Sequence, residues 1–293
     1  MSIHPRILLA ALKKNKPLLF DSALLPNCEL SVQQPLGRLS AAHCRRFHKV
    51  VGWQDTSDDY LHPSYLHTQA FQQHIQLMLN KQFPFALLGL VHKSNTVQQF
   101  VPLTRLVSGV LSSKVESFVR QPRGISCIIS SQLEDRGEVL WRSFGEFLCI
   151  NQHADKAKAI HQQASSSPAY QHKQSWQCNG NLGRQYALAS GDFNPIHLSA
   201  FSAKLFGFKR AVAHGMWTKA RCLSHYQEQL MAQPAFTCEV GFKQPLFLPS
   251  YVDFSASETS SDQHVIQFQV TSKNSRFTHL QGQLQFNHVP IKP

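Results

Sequence analysis

The stretch that decides the fold is residues 186–216, YALASGDFNPIHLSAFSAKLFGFKRAVAHGM. Asp192 and His197 stand five residues apart in it, with Asn194 between them. Glycine permits unusual backbone angles and proline fixes its own φ, so Ser-Gly-Asp and Asn-Pro predict a sharp turn. Such a turn can bring the three side chains to one side of the backbone. The sequence therefore predicts an acid/base pair.

The end of the stretch, Ala-His-Gly-Met, comes just before an amphipathic run and predicts the start of a helix. The apolar stripe of that helix consists of Met216, Ala220, Leu223, Tyr226 and Leu230. Backbone N–H groups at a helix start have no helical acceptor and carry partial positive charge, which suits a developing oxyanion. Gly215 is therefore a candidate oxyanion donor.

A purely structural reading competes with this one. Asp192 could cap a turn by bonding nearby N–H groups, and His197 could be an ordinary, partly buried histidine. The complete pattern is more specific than its parts. Tyr-x-x-x-Ser-Gly-Asp-x-Asn-Pro-Ile-His, followed by Gly-Phe and Ala-His-Gly-Met, resembles the MaoC-like (R)-specific enoyl-CoA hydratases.

The predicted fold class is α+β, a double hot-dog with two curved antiparallel sheets that each wrap a long central helix, because the order of one helix followed by strands occurs twice along the chain. The resemblance implies the hot-dog fold of the unit. It places the catalytic pair on Asp192 and His197, the supporting asparagine on Asn194 and the oxyanion donor on Gly215. The implied reaction is hydration of a 2-enoyl thioester of coenzyme A or acyl carrier protein, without metal or cofactor. A thioesterase and a non-catalytic acyl-thioester binding protein on the same fold remain the alternatives.

Patterning along the chain predicts two units. Residues 1–155 contain a helical segment from His62-Pro63 to Leu79, followed by strands, but lack Asp-x-Asn-Pro-x-His. Residues 156–177 are predicted to be a linker, and residues 178–293 the catalytic unit. The predicted first-unit strands span residues 85–92, 96–101, 106–111, 114–119, 126–132 and 139–150. Those of the second unit span residues 236–243, 251–258, 264–271 and 277–286.

Two further pairs are predicted to contact substrate. Lys209 and Arg210 precede the oxyanion segment and could meet the phosphates of coenzyme A, although solvated surface charges are an equally common interpretation. Leu87 and Leu88 follow the first-unit helix and could line an acyl tunnel, although a core strand is the commoner interpretation. Association of two chains as a homodimer is left open.

Composition narrows the class of protein. The chain is 42% hydrophobic and 16% charged, and it contains no apolar run of membrane-spanning length and no recognisable signal peptide. Seven scattered cysteines without Cys-x-x-Cys argue against disulfides and zinc, and they favour a cytoplasmic location. The net charge of +12 is not concentrated in a tail, so we expect no nucleic-acid partner. Sixteen histidines without a helical ligand pattern give only weak support for a metal.

Overall fold

The computed structural model describes residues 24–151, 169–257 and 265–287, which form ten strands and seven helices. The strands are β1 Ser31–Pro35, β2 Leu90–Gln99, β3 Val110–Gln121, β4 Gly124–Asp135, β5 Glu138–Ile150, β6 Gln171–Cys178, β7 Phe236–Phe242, β8 Ser250–Ala256, β9 Val265–Ser272 and β10 Thr278–Phe286. The helices are α1 Ala41–Val51, α2 Tyr65–Leu79, α3 Leu182–Ser190, α4 Pro195–Leu198, α5 Ala200–Lys204, α6 Gly215–Ser224 and α7 Gln227–Ala232. Within these ranges no helix combines the length and apolar character needed to cross a bilayer.

The strands form one antiparallel sheet in the order β1-β3-β4-β5-β2-β7-β10-β9-β8-β6. The two halves of the sheet, β1–β5 and β6–β10, have the same connectivity. In each half the strand that comes first in the chain lies at the outer edge, and the strand that comes second lies at the seam, where the two halves meet. β2 and β7 pair there, from Ser94 opposite Gly241 to Gln99 opposite Phe236. The double hot-dog prediction is confirmed, with its two five-stranded halves joined edge to edge.

Each half carries its predicted central helix. α2 packs on β1, β3 and β4, and α6 packs on β10. The apolar stripe that begins at Met216 is buried along its whole length, at 0–7% exposure. It is divided between two helices, however, because α6 ends at Ser224 and α7 starts at Gln227. The Ser224 hydroxyl bonds the carbonyl of Ala220 (3.1 Å), a side-chain contact that favours bending of a helix.

Two apolar clusters fill the interior. The larger one spans both units and brings Phe47, Tyr65 and Trp141 of the first together with Tyr186 and Trp217 of the second. The second apolar cluster lies inside the first unit only. Its buried members are Leu30, Leu77, Met78, Phe83, Phe85, Val115, Phe118, Ile125, Cys127, Ile129, Phe147 and Cys149. Because the larger cluster is continuous across the seam, the first unit is part of the environment of the second.

Strand boundaries differ from the sequence predictions in three places. Residues 85–92 and 96–101 were predicted as two strands but contribute to one, β2, and residues 85–89 precede it as a loop. Residues 106–109 form a turn before β3. Residues 171–177, predicted as linker, belong to β6, which pairs with β8. The earlier linker residues up to 168 lie outside the described part of the chain, so the proposed division into units rests on the repeated connectivity.

Candidate active site

The turn around Asp192 is set by local sequence. α3 ends at Ser190 and is capped by Gly191, whose φ of 79° lies in the left-handed region that glycine adopts without strain. One Asp192 carboxylate oxygen, Oδ1, then accepts the backbone N–H of Asn194 (3.1 Å). The Asn194 side chain caps α4 by accepting from the N–H of Ile196 (3.4 Å), and Pro195 occupies the first helical turn. The side chains of Asp192 and Asn194 therefore do stabilise the turn, as the structural interpretation expects. This role uses only Oδ1 of Asp192, so Oδ2 remains available for another contact.

His197 presents an unprotonated nitrogen. Its Nδ1 lies 2.7 Å from the carbonyl oxygen of Val212. Because a carbonyl can only accept, Nδ1 carries the hydrogen and Nε2 carries a lone pair. Burial lowers the pKa of His197, while Asp192 and the Val212 carbonyl act in the opposite direction. The ring is therefore neutral at pH 7 and its Nε2 can accept a proton.

His214 is a member of the site that sequence reasoning missed. Its Nε2 donates to the backbone carbonyl of Asp192 (3.0 Å) and lies 3.8 Å from Oδ2 of the same residue. The ring stacks on His197 with centroids 3.7 Å apart, and Nδ1 is buried without a hydrogen-bond partner among the described residues. Burial and the neighbouring His197 hold its pKa well below the usual value. The sequence does contain one indication of this role, because His214 belongs to the Ala-His-Gly-Met motif that predicts Gly215 as the oxyanion donor.

The three side chains converge. One carboxylate oxygen of Asp192 and one ring nitrogen each from His197 and His214 all lie within 4.8 Å of one another. Such a set can hold a cation or a single water molecule. The backbone bond made by His197 Nδ1 and the one made by His214 Nε2 hold both rings in place. A carboxylate beside a neutral imidazole is the arrangement that general acid–base catalysis on a shared water requires.

Gly215 lies where its N–H can act. It is the first residue of α6, so no residue four positions earlier belongs to the helix to accept its hydrogen. A Cβ built on Gly215 would lie 2.8 Å from the ring of Phe242. A side chain at this position would therefore displace Phe242, and glycine keeps the approach to the N–H open. The helix start and the Asp192 turn are tied together by His214, the residue immediately before Gly215.

The described part of the first unit, residues 24–151, lacks this constellation. Trp53 follows the left-handed Gly52 at the end of α1, as Asp192 follows Gly191 at the end of α3. A cavity beside Trp53 is lined largely by apolar residues of both units, including Leu61 and Leu230. The first unit nevertheless reaches the candidate active site, because a Cβ added to Gly191 would lie 2.5 Å from the Gln72 side chain of α2.

The four residues predicted to contact substrate differ in their surroundings. Lys209 and Arg210 are exposed, and the Arg210 guanidinium already donates to the Pro249 carbonyl (3.2 Å). Leu87 packs against the second apolar cluster, as in the core interpretation, although it lies in a loop and not in a strand. Leu88 is half-buried. Their contacts with a substrate stay predictions.

Known proteins resemble this chain both in sequence and in structure. Residues 163–280 match the family model of the MaoC like domain. The 3-hydroxyacyl-thioester dehydratase X of Mycobacterium tuberculosis is 27% identical over 200 residues, 64% of this chain and 66% of that protein, just under two thirds of its length. The crystal structure of HtdX of Mycobacterium tuberculosis superposes with a TM-score of 0.72 at 22% identity, covering 89% of this chain and 100% of that one.

A conserved hypothetical protein of Mycobacterium tuberculosis, described as having a double hotdog fold, superposes with a TM-score of 0.55 at 12% identity over 90% of this chain and 97% of its own. At these identities the solved structures establish only the fold. The family match covers all the residues that form the Asp192 turn and the start of α6. The chain is therefore a double hot-dog protein in which residues 163–280, most of the second half, are similar to the MaoC like domain.

Proposed function

We propose that this protein catalyses the reversible hydration of trans-2-enoyl thioesters to (3R)-3-hydroxyacyl thioesters. The observation that carries the proposal is the neutral His197, with its bare Nε2, beside the Asp192 carboxylate and the N-terminus of α6. The activity in the name of the mycobacterial relative, dehydration of 3-hydroxyacyl thioesters, is the reverse of this reaction. The (R) configuration rests on the motif resemblance.

In the proposed reaction one water adds across the C2=C3 bond. Asp192 and His197 hold the water, and its oxygen attacks C3 while a proton passes to one of the pair. A proton is delivered from the same pair to C2, so that the elements of one water are added and both residues return to their starting states. Asn194 holds the turn that orients Asp192. The dehydration direction reverses each transfer.

The Gly215 N–H is proposed to meet the thioester oxygen. Negative charge develops on that oxygen when C3 is attacked, and a donor at a helix N-terminus stabilises it without reorganisation. Loss of one such donor costs roughly 2.7–4 kcal/mol in a protease, which indicates the scale of the effect. The proposal covers acyl groups carried by coenzyme A and by acyl carrier protein, since both present the same thioester.

The test is a spectrophotometric assay with crotonyl-CoA, which loses its conjugated absorbance on hydration. We expect Asp192→Asn and His197→Gln each to lower kcat by about 100-fold or more, while the exposed His172→Gln remains at the wild-type rate. Chiral chromatography of the product checks the (3R) configuration. Hydration that persists in either active-site variant would remove that residue from the acid/base pair.

Two controls separate the alternatives. Release of free thiol without loss of the double bond would identify a thioesterase, and binding without turnover would identify an acyl-thioester binding protein. Because Asp192, His197 and His214 could also ligate a cation, the assay is repeated after EDTA treatment. We expect unchanged rates, since the proposed chemistry uses only protein groups; a loss restored by a divalent ion would replace it with a metal-assisted mechanism.

A further inference from the structure

Three neighbouring histidines of the first unit lie close together, outside the catalytic pair. His67 and His74 belong to α2 and His92 to β2, with the His67 ring 5.5 Å from that of His74 and 6.2 Å from that of His92. His67 Nδ1, His74 Nδ1 and His92 Nε2 are buried without a hydrogen-bond partner among the described residues. Buried polar atoms in native proteins are normally satisfied, so three adjacent exceptions indicate a missing partner.

Ring contacts connect these histidines to the candidate oxyanion donor. The ring of Phe242 lies against the Cα of Gly215, and its centroid is 4.9 Å from that of His92. His92 in turn stacks on Phe147 at 4.5 Å. Phe147 is a member of the second apolar cluster. A continuous line of side chains therefore runs from the start of α6, past the histidines, into the apolar interior of the first unit.

The backbone around His92 leaves room beside its Nε2. β2 has a bulge between His92 and Ser94, and bulges commonly re-aim a side chain beside a functional site. On the neighbouring strand, a Cβ added to Gly145 would lie 2.8 Å from the Phe147 ring and 3.4 Å from His92 Nε2. Any larger residue at position 145 would therefore crowd the unpartnered nitrogen.

Hydrogen bonds hold the His74 ring in place. His74 Nε2 and the Ser131 hydroxyl are 2.7 Å apart, and Ser131 is 2.7 Å from the Ser113 hydroxyl. Ser113 donates to the Gln73 side chain (2.7 Å). This network orients the His74 ring and uses one of its nitrogens, so that only Nδ1 remains for another partner.

The cluster is uncharged. Burial lowers the pKa of His74 to about 4 and that of His92 to about 3, and burial together with the neighbouring histidines holds the pKa of His67 well below its usual value. Each neutral imidazole offers one donor and one acceptor. Within the described residues, the only trio of ligand atoms grouped tightly enough for a metal is the one at Asp192. Neutral imidazoles that are too far apart to share a metal ion can still form hydrogen bonds with an uncharged oxygen.

We infer that His67, His74 and His92 form a polar subsite for a hydroxyl or carbonyl oxygen carried by the acyl chain beyond its double bond. The inference rests on the proposed function, because the thioester is taken to lie at Gly215. The chain would pass Phe242, place its oxygen among the histidines and extend its apolar remainder toward the second apolar cluster. The competing occupant is water alone.

The experiment compares trans-2-enoyl-CoA substrates of equal chain length, unsubstituted or with a hydroxyl or oxo group at successive carbons. We expect wild-type kcat/KM to favour one oxygenated isomer by about tenfold, the contribution of one good hydrogen bond. His92→Phe and His67→Leu should abolish the preference while crotonyl-CoA turnover is kept. His92→Gln, which retains a donor and an acceptor, should preserve part of it, and His225→Phe in the second unit is the matched control.

Absence of any preference in the wild type, or an equal preference in both apolar variants, would show that the histidines hold only water. If crotonyl-CoA itself is not hydrated, the proposed function fails, and calorimetry with saturated acyl-CoA pairs then decides the subsite independently of turnover. Melting temperatures identify a misfolded variant; if both apolar variants unfold, His92→Gln and the wild-type comparison give the result.

Discussion

Lys219 Nζ donates a 2.6 Å hydrogen bond to Oδ1 of Asn95, joining helix α6 of the second unit to strand β2 of the first. The same Nζ lies 3.2 Å from the carbonyl oxygens of Asn95 and Cys238. Lys219 is wholly buried, and burial lowers its pKa to about 8. At pH 7 the amine is therefore still largely protonated, and it is held by three neutral oxygens at the seam of the sheet.

The first prediction concerns this seam. Lys219→Met should lower the free energy of unfolding by about 1–3 kcal/mol, because Asn95 Oδ1 is left buried without its donor. Asn95→Leu should be at least as damaging, since it leaves a buried charge short of an acceptor. The double variant should recover part of the loss, as apolar groups then face each other. Urea unfolding measures all four proteins; strictly additive losses would mean that the two residues do not act together.

The second prediction is the pH dependence of kcat/KM. Burial lowers the pKa of His197 below its ordinary value of 6.5, so the ring is neutral and able to accept a proton above that pH. As pH falls through the lowered pKa, His197 becomes protonated and the hydration rate should fall with it. We expect an acid limb with its midpoint below 6.5 and no loss of rate between that limb and neutrality. A midpoint above 6.5 would contradict the assigned role.

The third prediction treats His214 as a positioning residue. His214→Phe keeps an aromatic ring against His197 but removes the hydrogen bond to the Asp192 carbonyl. We expect kcat to fall by about tenfold or more with little change in KM, because orientation of the acid/base pair affects chemistry more than binding. His214→Gln can restore a donor and should recover part of kcat. Parallel loss of kcat and melting temperature, with no rescue by glutamine, would indicate a purely structural role.

The fold and four residues of the site were accessible from the sequence because their signals are local. Asp192, Asn194 and His197 lie within one turn, and Gly215 begins a periodic helix. β6 was missed because it is an edge strand whose first five residues are exposed and polar. Residues 85–89 looked like a strand because they are mostly apolar, but they form a loop in which only Phe85 and Ala86 are buried.

Tertiary contacts explain the remaining omissions. His214 and His197 stack because two separate segments fold together, and nothing in their spacing of 17 residues shows it. Lys219 does lie on the predicted buried face, three residues after Met216 and four before Leu223. A charged residue among core positions could have been noted from the sequence. Its partner Asn95, 124 positions earlier, could not.

The fourth prediction addresses the thioester carrier. Lys209 and Arg210 follow α5 and its C-cap Leu205, a segment in which Phe201 and Leu205 are 79% and 72% exposed. Lys209→Ala combined with Arg210→Ala should raise KM for a coenzyme A thioester but not for the truncated N-acetylcysteamine thioester, which lacks the phosphates. Lys273→Ala with Arg276→Ala is the matched control at another exposed pair. Equal KM changes for both substrates would remove the phosphate role, and a change only with acyl carrier protein would assign this surface to that carrier.

The last prediction separates the two leucines. Leu87 packs on the second apolar cluster, so Leu87→Trp should overpack the interior and lower stability by about 1–3 kcal/mol, with equal loss of activity toward all chain lengths. Leu88 is half-buried beside it, and Leu88→Trp can place its ring in the space proposed for the acyl chain without filling the core.

The measurement is kcat/KM for crotonyl-CoA and for longer unsubstituted enoyl-CoA substrates, together with the melting temperature of each variant. We expect Leu88→Trp to keep the melting temperature and crotonyl-CoA turnover but to lose activity toward long chains. The physical reason is that the line of side chains from Gly215 through Phe242 and His92 leads toward the second apolar cluster, which Leu87, the neighbour of Leu88 in the chain, contacts. A Leu88→Trp enzyme with unchanged activity toward every chain length would show that the acyl chain takes another route, and the apolar interior of the first unit would then serve only to stabilise it.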